Sequence, residues 1–421
     1  MFMKRIAFLF IFVLLSFVSL QVKAGGLDLD LLYGSRYVSM GGNHVTIVDD
    51  AYGPFYNPAT MAYVKRPSLA FNSSTLMFGY EAPIGADNQQ RKTDINYGPL
   101  FYMGAVYPWT DRISFGFAVY PTALQGGKYK NINYGPNFLG KEYGNQLVRI
   151  EIAPAVSVKL HDHFSLGATY KVAYTRYDKT IGVFADATYS AVLDSSVSTW
   201  DAQGLKVGAL VNDIGGLSFG VTYRPQLDLE LSGNTNILSA ASPTGVDART
   251  TQKISIPAQL QVGASYEWIK DRFLSVVTYE YTENSVIKED APVIDTNIFT
   301  AEQTKGPLNY KDGHTIHVGS EYTFQLANQR KLRTGAGVVW DKTVTSKTTP
   351  NPALAPSADY YGAALGGQYD IGKHIFGMAL NYGQYSHVST DIETPALDLK
   401  VFKGKYALRV FFAVLDYQFK F

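Results

Sequence analysis

Long runs of strict alternation between apolar and polar residues constrain this sequence more than any other feature. In the run from Leu217 to Leu231 every second residue is apolar or proline, and the residues between are small, polar or charged. A period of two is the signature of a β-strand whose two faces meet different surroundings. Similar runs occupy 148–160 and 254–268, well beyond the usual strand length of about five or six residues. The chain is therefore predicted to be all-β.

Alternation alone fits a soluble β-sandwich as well as a membrane barrel, and three features favour the barrel. The apolar face persists for ten or more residues, which is enough for a tilted strand to cross a bilayer. Aromatic pairs such as Tyr107/Trp109 and Tyr266/Trp268 collect towards strand ends, where membrane barrels carry interfacial girdles. Connections between the runs also alternate between short and long, and a sandwich has no reason to do this.

The runs give fourteen strand candidates. They lie near 67–81, 96–108, 112–121, 147–160, 164–177, 199–211, 217–230, 254–269, 272–283, 314–326, 330–343, 358–369, 374–387 and 403–421. Tight links such as Thr110-Asp111 alternate with long polar connections that include 122–146, 178–198, 231–253 and 284–313. An even strand number with short turns at one end is typical of bacterial outer-membrane barrels, and the last strand ends in Phe421 in the manner of an outer-membrane assembly signal.

The first residues belong to two further segments. Lys4 and Arg5 precede an apolar stretch that ends before a small residue, Ala24, so residues 1–24 are predicted to be a secretory signal peptide; a membrane-anchoring helix is the alternative. Residues 25–66 do not alternate, and side chains alone do not fill a fourteen-stranded barrel. They are expected to fold inward as a hatch. The predicted fold is thus a 14-stranded antiparallel transmembrane β-barrel, residues 67–421, with an N-terminal hatch.

Several classes of function are disfavoured by composition and motif context. A net charge of +1 argues against a nucleic-acid partner, and the absence of cysteine excludes thiolate chemistry. The G-x-S-x-G run Gly216–Gly220 opens a strand, and its apolar-Ser-apolar-Gly pattern recurs at Ile113–Gly116 and Phe164–Gly167, so it indicates a strand-start repeat rather than a nucleophile elbow. The histidine pairs His161/His163 and His314/His317 lack further ligands. No catalytic residue, metal or cofactor is predicted.

One resemblance covers nearly the whole chain beyond the signal peptide. The run Gly34-Ser35-Arg36, Met40-Gly41-Gly42, Asp49-Asp50-Ala51 and Tyr56-Asn57-Pro58-Ala59 resembles the N-terminal hatch of the long-chain fatty-acid transporter (FadL) family of outer-membrane proteins. Later segments resemble the same family, among them Ile256-Pro257-Ala258 and Leu332–Gly335. The resemblance implies a fourteen-stranded barrel with a hatch, in the outer membrane, without enzymatic activity.

The resemblance also implies passive uptake of hydrophobic compounds, foremost long-chain fatty acids. Ligand would meet an apolar groove among the outer loops, enter a buried pocket, and leave sideways into the lipid through a kinked third strand. Asn57, Pro58 and Ala59 carry over as the hatch motif. Phe115, Gly116 and Pro121 carry over as the strand kink or lateral gate. The candidates for the loop groove are Tyr134, Phe138, Leu139, Val183, Phe184, Tyr189, Val192 and Leu193.

Charged residues on the inner face leave two interpretations open. Lys171, Arg224 and Arg333 either bind a carboxylate head group or pair with acidic residues of the lumen. The acidic candidates are Glu151, Glu267 and Glu321. Two other functions also stay open for a barrel of this form, a secretion-associated docking component and a general porin, the latter disfavoured by the hatch. Nothing in the sequence requires more than a monomer.

Overall fold

The structure is a computed structural model that describes residues 31–42, 44–47, 50–85, 87–134, 138–185, 188–240, 242–290, 292–297, 306–308, 310–345, 352, 356–389 and 403–421. The predicted signal peptide, residues 1–24, and the first hatch residues, 25–30, lie outside the described part. Among the described residues, no helix is long and apolar enough to cross a membrane.

Strands dominate the described chain. They are β1 (Ser68–Ile84), β2 (Gln89–Lys92), β3 (Asn96–Pro108), β4 (Ile113–Gln125), β5 (Lys128–Ile132), β6 (Lys141–His161), β7 (Phe164–Ala185), β8 (Thr188–Ile214), β9 (Leu217–Arg224), β10 (Leu227–Ser239), β11 (Val246–Ile256), β12 (Gln259–Ile269), β13 (Phe273–Thr282), β14 (Glu289–Asp290), β15 (Pro292–Ile294), β16 (Gly306–Pro307), β17 (Gly313–Gln325), β18 (Lys331–Asp341), β19 (Tyr360–Ile371), β20 (His374–Ser389) and β21 (Gly404–Lys420). The helical elements are α1 (Ser35–Ser39) and the 3₁₀ helices η1 (Pro58–Tyr63), η2 (Asn284–Val286) and η3 (Ala327–Gln329).

Antiparallel pairing closes these strands into a fourteen-membered wall. Two wall positions are strands interrupted by proline: Pro225 separates β9 from β10, and Pro257 separates β11 from β12. The order around the wall is β1, β3, β4, β6, β7, β8, β9/β10, β11/β12, β13, β17, β18, β19, β20 and β21. β21 then pairs with β1 from Ser68↔Lys420 to Glu81↔Ala407. The predicted fourteen-stranded antiparallel barrel is confirmed.

The two faces of the wall separate as the alternation predicts. On β9, Phe219, Val221 and Tyr223 are exposed, whereas Ser218 and Thr222 point inward and are buried. The exposed face therefore presents apolar and aromatic side chains to lipid. Trp109 and Trp268 lie at strand ends and are both more than half exposed, as in an interfacial girdle.

Some predicted loops are strand extensions instead. The connection 178–198 is mostly a hairpin, because β7 continues to Ala185 and β8 begins at Thr188; likewise β10 and β11 extend far into 231–253. The prediction of long loops there was wrong for a physical reason. Lipid imposes an apolar face only within the bilayer, whereas backbone pairing continues beyond it.

The described residues of 31–66 are called the inner segment below, and its two helices contact opposite sides of the barrel wall. α1 packs against β18–β21, and η1 packs against β4 and β6–β8, which are opposite sides of the wall. The Ser35 amide donates to Asp416 Oδ1 at 2.9 Å, and Ser165 Oγ donates to the Ala59 carbonyl at 2.8 Å. The described inner segment is therefore bonded to opposite sides of the closed wall.

Candidate functional site

The motif Asn57-Pro58-Ala59 begins η1 and attaches it to the wall. Asn57 Oδ1 accepts from the Ala59 amide at 3.0 Å, and this bond caps the 3₁₀ helix. Asn57 Nδ2 donates to the carbonyls of Val45, at 2.8 Å, and of Ala209 on β8, at 3.2 Å. Proline at the first helical position needs no amide partner. The three residues therefore join a helix start, a turn of the inner segment and the barrel wall.

Wall glycines allow the inner segment to approach closely. A Cβ built on any of ten wall glycines would overlap atoms of the inner segment. They are Gly104, Gly116, Gly167, Gly208, Gly220, Gly263, Gly319, Gly335, Gly337 and Gly377. The strand-start repeat predicted from the sequence contributes three of them, and its serines also point inward. The repeat is thus part of the surface on which the inner segment rests.

Charged groups hold the inner segment as well. Arg36 forms a two-pronged ion pair with Glu321 of β17, with Nε–Oε2 at 2.8 Å and Nη2–Oε1 at 2.9 Å. Asp50 accepts from the Tyr37 hydroxyl and the Tyr52 amide, both at 3.0 Å. Burial raises the pKa of Asp50 to about 6. These bonds fix α1 and the turn that follows it.

The backbone pairing between β3 and β4 covers only part of each strand. It runs from Pro108↔Ser114 to Met103↔Val119, although β3 continues to Asn96 along β1. Beyond Val119, β4 pairs with β6 alone, and Thr122 is an extra residue between the pairs of Pro121 and Ala123. Proline cannot donate to a ladder, and a bulge turns the strand away from its neighbour. The wall therefore has an unpaired stretch, called the β3–β4 gap below.

The three residues predicted for the kink do not contribute equally. Gly116 is paired on both sides, with Val106 and Ala155, and its missing side chain accommodates Met61 of the inner segment. Phe115 faces outward and is 45% exposed. Pro121 stands where the pairing with β3 is already lost, so the irregularity is centred on Pro121 and Thr122 rather than on Gly116.

Aromatic rings cover the inner side of the β3–β4 gap. Tyr33 and Phe55 of the inner segment pack against Tyr102 of β3 and Tyr120 of β4, with ring centroids 4.9 to 6.4 Å apart. The Tyr33 hydroxyl donates to the Pro121 carbonyl at 2.5 Å. The inner segment thus holds the kinked strand through one hydrogen bond and a ring cluster.

A cavity of about 90 Å³ lies beside the start of the inner segment. Leu31 and Leu32 contribute to its lining, and the rest comes from η2 and from strands on one side of the wall, with Leu76, Val410 and Phe412 among the apolar members. Its polar lining includes Glu280, Asn284, Thr315, His317, Asp341 and Asn381. The sequence did not predict these lining residues.

The predicted head-group residues lie elsewhere, and Lys171 and Arg333 have acidic partners, Glu151 and Asp370. Lys171 Nζ lies 2.6 Å from Glu151 Oε2, and the neighbouring Arg149 lies 2.6 Å from Asp201 Oδ2. Arg224 Nη2 donates to the Pro257 carbonyl at 3.2 Å. Arg333 Nη1 donates to Gln368 Oε1 at 3.2 Å. None of the three predicted cations lines the cavity, and Lys171 adopts the acid-paired arrangement that was the alternative interpretation.

The structure describes only some of the side chains that were predicted to form the loop groove. Phe138 and Leu193 are buried in the main apolar cluster, together with Tyr134, Val183 and Val192. Leu139 is 61% exposed. The side chains of Phe184 and Tyr189 lie outside the described residues.

The histidine pairs do not form a metal site. His163 lies at a turn, with Nδ1 at 2.9 Å from the Asn212 carbonyl. His314 contacts the Tyr279 hydroxyl on the outer face, whereas His317 Nδ1 donates inward to the Gly41 carbonyl at 2.8 Å. In the described part of the chain, no group of three or more histidine or acidic side chains is placed to hold a metal ion.

A closed barrel of fourteen antiparallel strands with an apolar outer face defines the class of outer-membrane β-barrels. The family model for outer membrane protein transport proteins (OMPP1/FadL/TodX) matches residues 15–421, and the chain belongs to this family. It is therefore an outer-membrane protein that transports hydrophobic compounds, and it is not an enzyme.

Solved structures share the fold at low sequence identity. A Pseudomonas aeruginosa FadL homologue is 18% identical with a TM-score of 0.76, over 94% of this chain and 100% of that one. The P. putida toluene transporter TodX is 14% identical with a TM-score of 0.69, over 95% and 99%. The Ralstonia pickettii toluene transporter TbuX is 16% identical with a TM-score of 0.67, over 92% and 98%. The search of curated proteins found no match to this sequence.

Proposed function

We propose that this protein takes up long-chain hydrophobic compounds without energy input, capturing them in the cavity and releasing them sideways through the β3–β4 gap. Long-chain fatty acids are the substrates predicted from the sequence. One observation carries the proposal: Leu31 and Leu32 line the cavity, and the next residue, Tyr33, bonds to Pro121 at the gap. Three consecutive residues therefore link the place of capture to the place of release.

Apolar burial supplies the driving force for capture. At about 0.8 kcal/mol per buried CH₂, a chain of about sixteen carbons gains roughly 13 kcal/mol. Association costs about 4–15 kcal/mol in lost freedom of motion. A long chain therefore has enough apolar surface to bind without coupling to an energy source.

Release follows from displacement of the inner segment. A ligand that enters between Leu31, Leu32 and the wall must move them, and such a movement pulls Tyr33 away from Pro121. Loss of one hydrogen bond, worth about 0.5–1.5 kcal/mol net, together with the ring contacts would uncover the β3–β4 gap. The ligand then reaches lipid without crossing water. In this proposal residues 25–66 act as the hatch.

A second interruption of the wall is less suited to an apolar ligand. Residues 199–206 of β8 have no ladder partners on β9/β10. Asp201 pairs there with Arg149, and Lys206 Nζ donates inward to the Phe55 carbonyl at 2.8 Å. Passage along these buried charges would disturb their ion pairs, which is costly in a low-dielectric interior. The aromatic β3–β4 gap presents no such barrier.

Uptake by cells with and without the protein tests the route. Replacing Pro121 by Ala together with deletion of Thr122 restores a ladder donor and removes the bulge, so β4 can pair with β3 along its length. Uptake of labelled hexadecanoate and of toluene should then fall to the level of cells lacking the protein. Pro154→Ala on β6 is the matched control, because it changes a proline elsewhere in the wall. Unchanged uptake by the Pro121 variant would refute lateral release.

An engineered disulfide bond, which can be reduced, tests whether the inner segment moves during transport. A Cβ on Gly335 would lie 3.1 Å from the Ser39 Cβ, near the range of about 3.5–4.5 Å found in disulfides. The chain has no cysteine, so Ser39→Cys with Gly335→Cys forms a single defined bond. The oxidised protein should lose uptake and regain it on reduction. Equal uptake in both states would show that α1 does not move during transport.

A further inference from the structure

Exposed basic side chains meet where the first and last wall strands pair, at the end of the barrel that carries the long connections. Such connections are extracellular in barrels of this type. Lys405 and Arg409 lie on β21, and Lys92 lies on β2, which pairs with the end of β1. Arg409 is opposite Gly79 of β1, and Lys92 is opposite Glu81. Lys92, Lys405 and Arg409, called the basic patch below, therefore lie on both sides of the closure between β21 and β1.

The basic patch has more positive than negative charge. Lys405 Nζ lies 3.3 Å and Lys92 Nζ lies 3.9 Å from the same oxygen, Glu81 Oε2. Arg409 is exposed and forms no ion pair with any residue that the structure describes. Within that part of the chain, three cations therefore share one carboxylate, and an anion that approaches from outside would be attracted.

The corresponding surface of β10 and β11 has the opposite balance. Its exposed charged residues are Asp228, Glu230, Asp247, Arg249 and Lys253. These are three acids and two bases, and Lys253 Nζ lies 3.8 Å from Glu230 Oε2. Surplus positive charge is therefore not a general property of this end of the barrel, but is local to the closure between β21 and β1.

The basic patch begins where the lipid-facing surface ends. The outward positions of β21 are apolar or aromatic as far as Phe411, and Arg409 is the next outward position. Two residues of strand span about 7 Å, and the head-group layer beyond the hydrocarbon core is about 5–8 Å thick. Arg409 therefore lies at the depth of the lipid head groups rather than beside the acyl chains.

The wall next to Arg409 is open to a lipid. Tyr382 of β20, Phe411 of β21 and Met77 of β1 are paired across three neighbouring strands and form an outward apolar row below the guanidinium. Beside Arg409, Gly79 has no side chain, and the nearest atom to a Cβ built there would be 3.9 Å away. A lipid can therefore place acyl chains on the row and its head group against Arg409.

We propose that the basic patch binds the phosphate of a phosphorylated lipid in the outer leaflet, and that the acyl chains of this lipid lie against Tyr382, Phe411 and Met77. An arginine guanidinium donates two parallel hydrogen bonds to a phosphate, and each lysine ammonium adds the attraction of a point charge. Because the patch belongs to both ends of the wall, the bound lipid bridges the closure of the barrel. This interaction is separate from the uptake of hydrophobic compounds and does not depend on its route.

Competition binding tests the phosphate. The full chain in a neutral detergent is loaded with fluorescently labelled lipid A that carries two phosphates. Unlabelled lipid A, the same lipid without phosphates, and inorganic phosphate then compete for the site. Each basic residue near an anionic head group contributes a factor of about five, so lipid A should bind at least about tenfold more tightly than its dephosphorylated form. Salt at about 1 M should weaken this binding, because the Debye length falls to about 3 Å.

Substitutions test the assignment to these side chains. Arg409→Gln and Lys405→Gln should each lower the affinity for lipid A about fivefold, and the triple variant that adds Lys92→Gln should lower it about a hundredfold. Glu81→Gln should raise the affinity, a gain that a misfolded barrel would not produce. Lys253→Gln is the matched control, because it removes an exposed, ion-paired lysine at the same end of the barrel, and it should keep the wild-type affinity.

Each outcome bears on the proposal. Equal affinity for lipid A with and without phosphates, or unchanged affinity in the triple variant, overturns it. Displacement of lipid A by an equal concentration of inorganic phosphate shows a site for a free anion and overturns the assignment to a lipid. An equal loss in Lys253→Gln shows a general effect of charge and overturns the assignment to the patch. Losses confined to the patch variants, with a gain in Glu81→Gln, support the proposal.

Discussion

Two wall glycines beneath the inner segment should not tolerate even one methyl group. A Cβ on Gly319 would lie 2.5 Å from Met40 Cβ and 2.6 Å from its Cα, and a Cβ on Gly167 would lie 2.6 Å from the Ala59 amide nitrogen. Favourable contact between such atoms lies at about 3.5–4.0 Å. Each alanine must therefore push the inner segment away by about 1 Å, at a cost of about 1–3 kcal/mol.

The two effects should add. Gly319 lies on β17 and Gly167 on β7, and they contact different parts of the inner segment. Sites without shared partners are usually additive. The double variant Gly167→Ala/Gly319→Ala should therefore lose about 2–6 kcal/mol of inner-segment docking, while the pairing of the wall strands stays intact.

Single-channel conductance in planar bilayers measures this loss directly. The wild-type protein should conduct almost no ions, and the double variant should show frequent open events. Gly79→Ala is the matched control, because the nearest atom to its Cβ would be 3.9 Å away. If the double variant stays as closed as the wild type and unfolds at the same urea concentration, the inner segment is not held by close contact with these glycines.

Three further outcomes follow from the same contacts. Glu321→Gln should lower the free energy of unfolding in urea by about 2–4 kcal/mol, because it leaves the partly buried Arg36 without its ion pair. Changing both residues to Met should be nearly neutral, and equal losses in the two variants would contradict this. Burial, reinforced by the nearby His317, lowers the pKa of His44 to about 3. The free energy of unfolding should therefore be highest above about pH 6.5 and decrease as the pH falls towards 3, because the unfolded chain binds the proton more tightly. His44→Gln should remove this pH dependence. Tyr33→Phe removes the hydrogen bond to the Pro121 carbonyl and should therefore speed uptake. Slower uptake would contradict the proposal that this bond keeps the β3–β4 gap closed.

The wall could be predicted from the sequence because lipid acts on every strand alike. Each outward position must be apolar, and the period of two follows directly, as on β3, whose predicted bounds 96–108 match the structure. The prediction failed where lipid ends. In the outer part of the β7–β8 hairpin, residues on both faces are buried, including Ile181, Val183 and Ala191–Leu193, so no alternation marks the strands there.

The candidate site was harder to predict because its lining combines residues from strands that are far apart in the sequence. Alternation places Asn381 inward but does not show that Asn284, nearly a hundred residues earlier, lines the same cavity. Lys171 was correctly placed inward, and only the structure identifies Glu151 as its partner. The strand-start serines and glycines were a visible signal of inner-segment docking, since a repeated small inward residue marks a place where another backbone approaches.

The bonds of the inner segment also limit the order of assembly. The Ser35 amide reaches Asp416 across 381 positions of sequence, and Asn57 reaches Ala209. Contacts so distant along the chain form late in folding. The part of the chain that is synthesised first is consequently expected to dock last, after the final strand has paired with the first. The machinery that inserts the barrel must therefore accommodate an undocked N-terminal segment until the barrel closes.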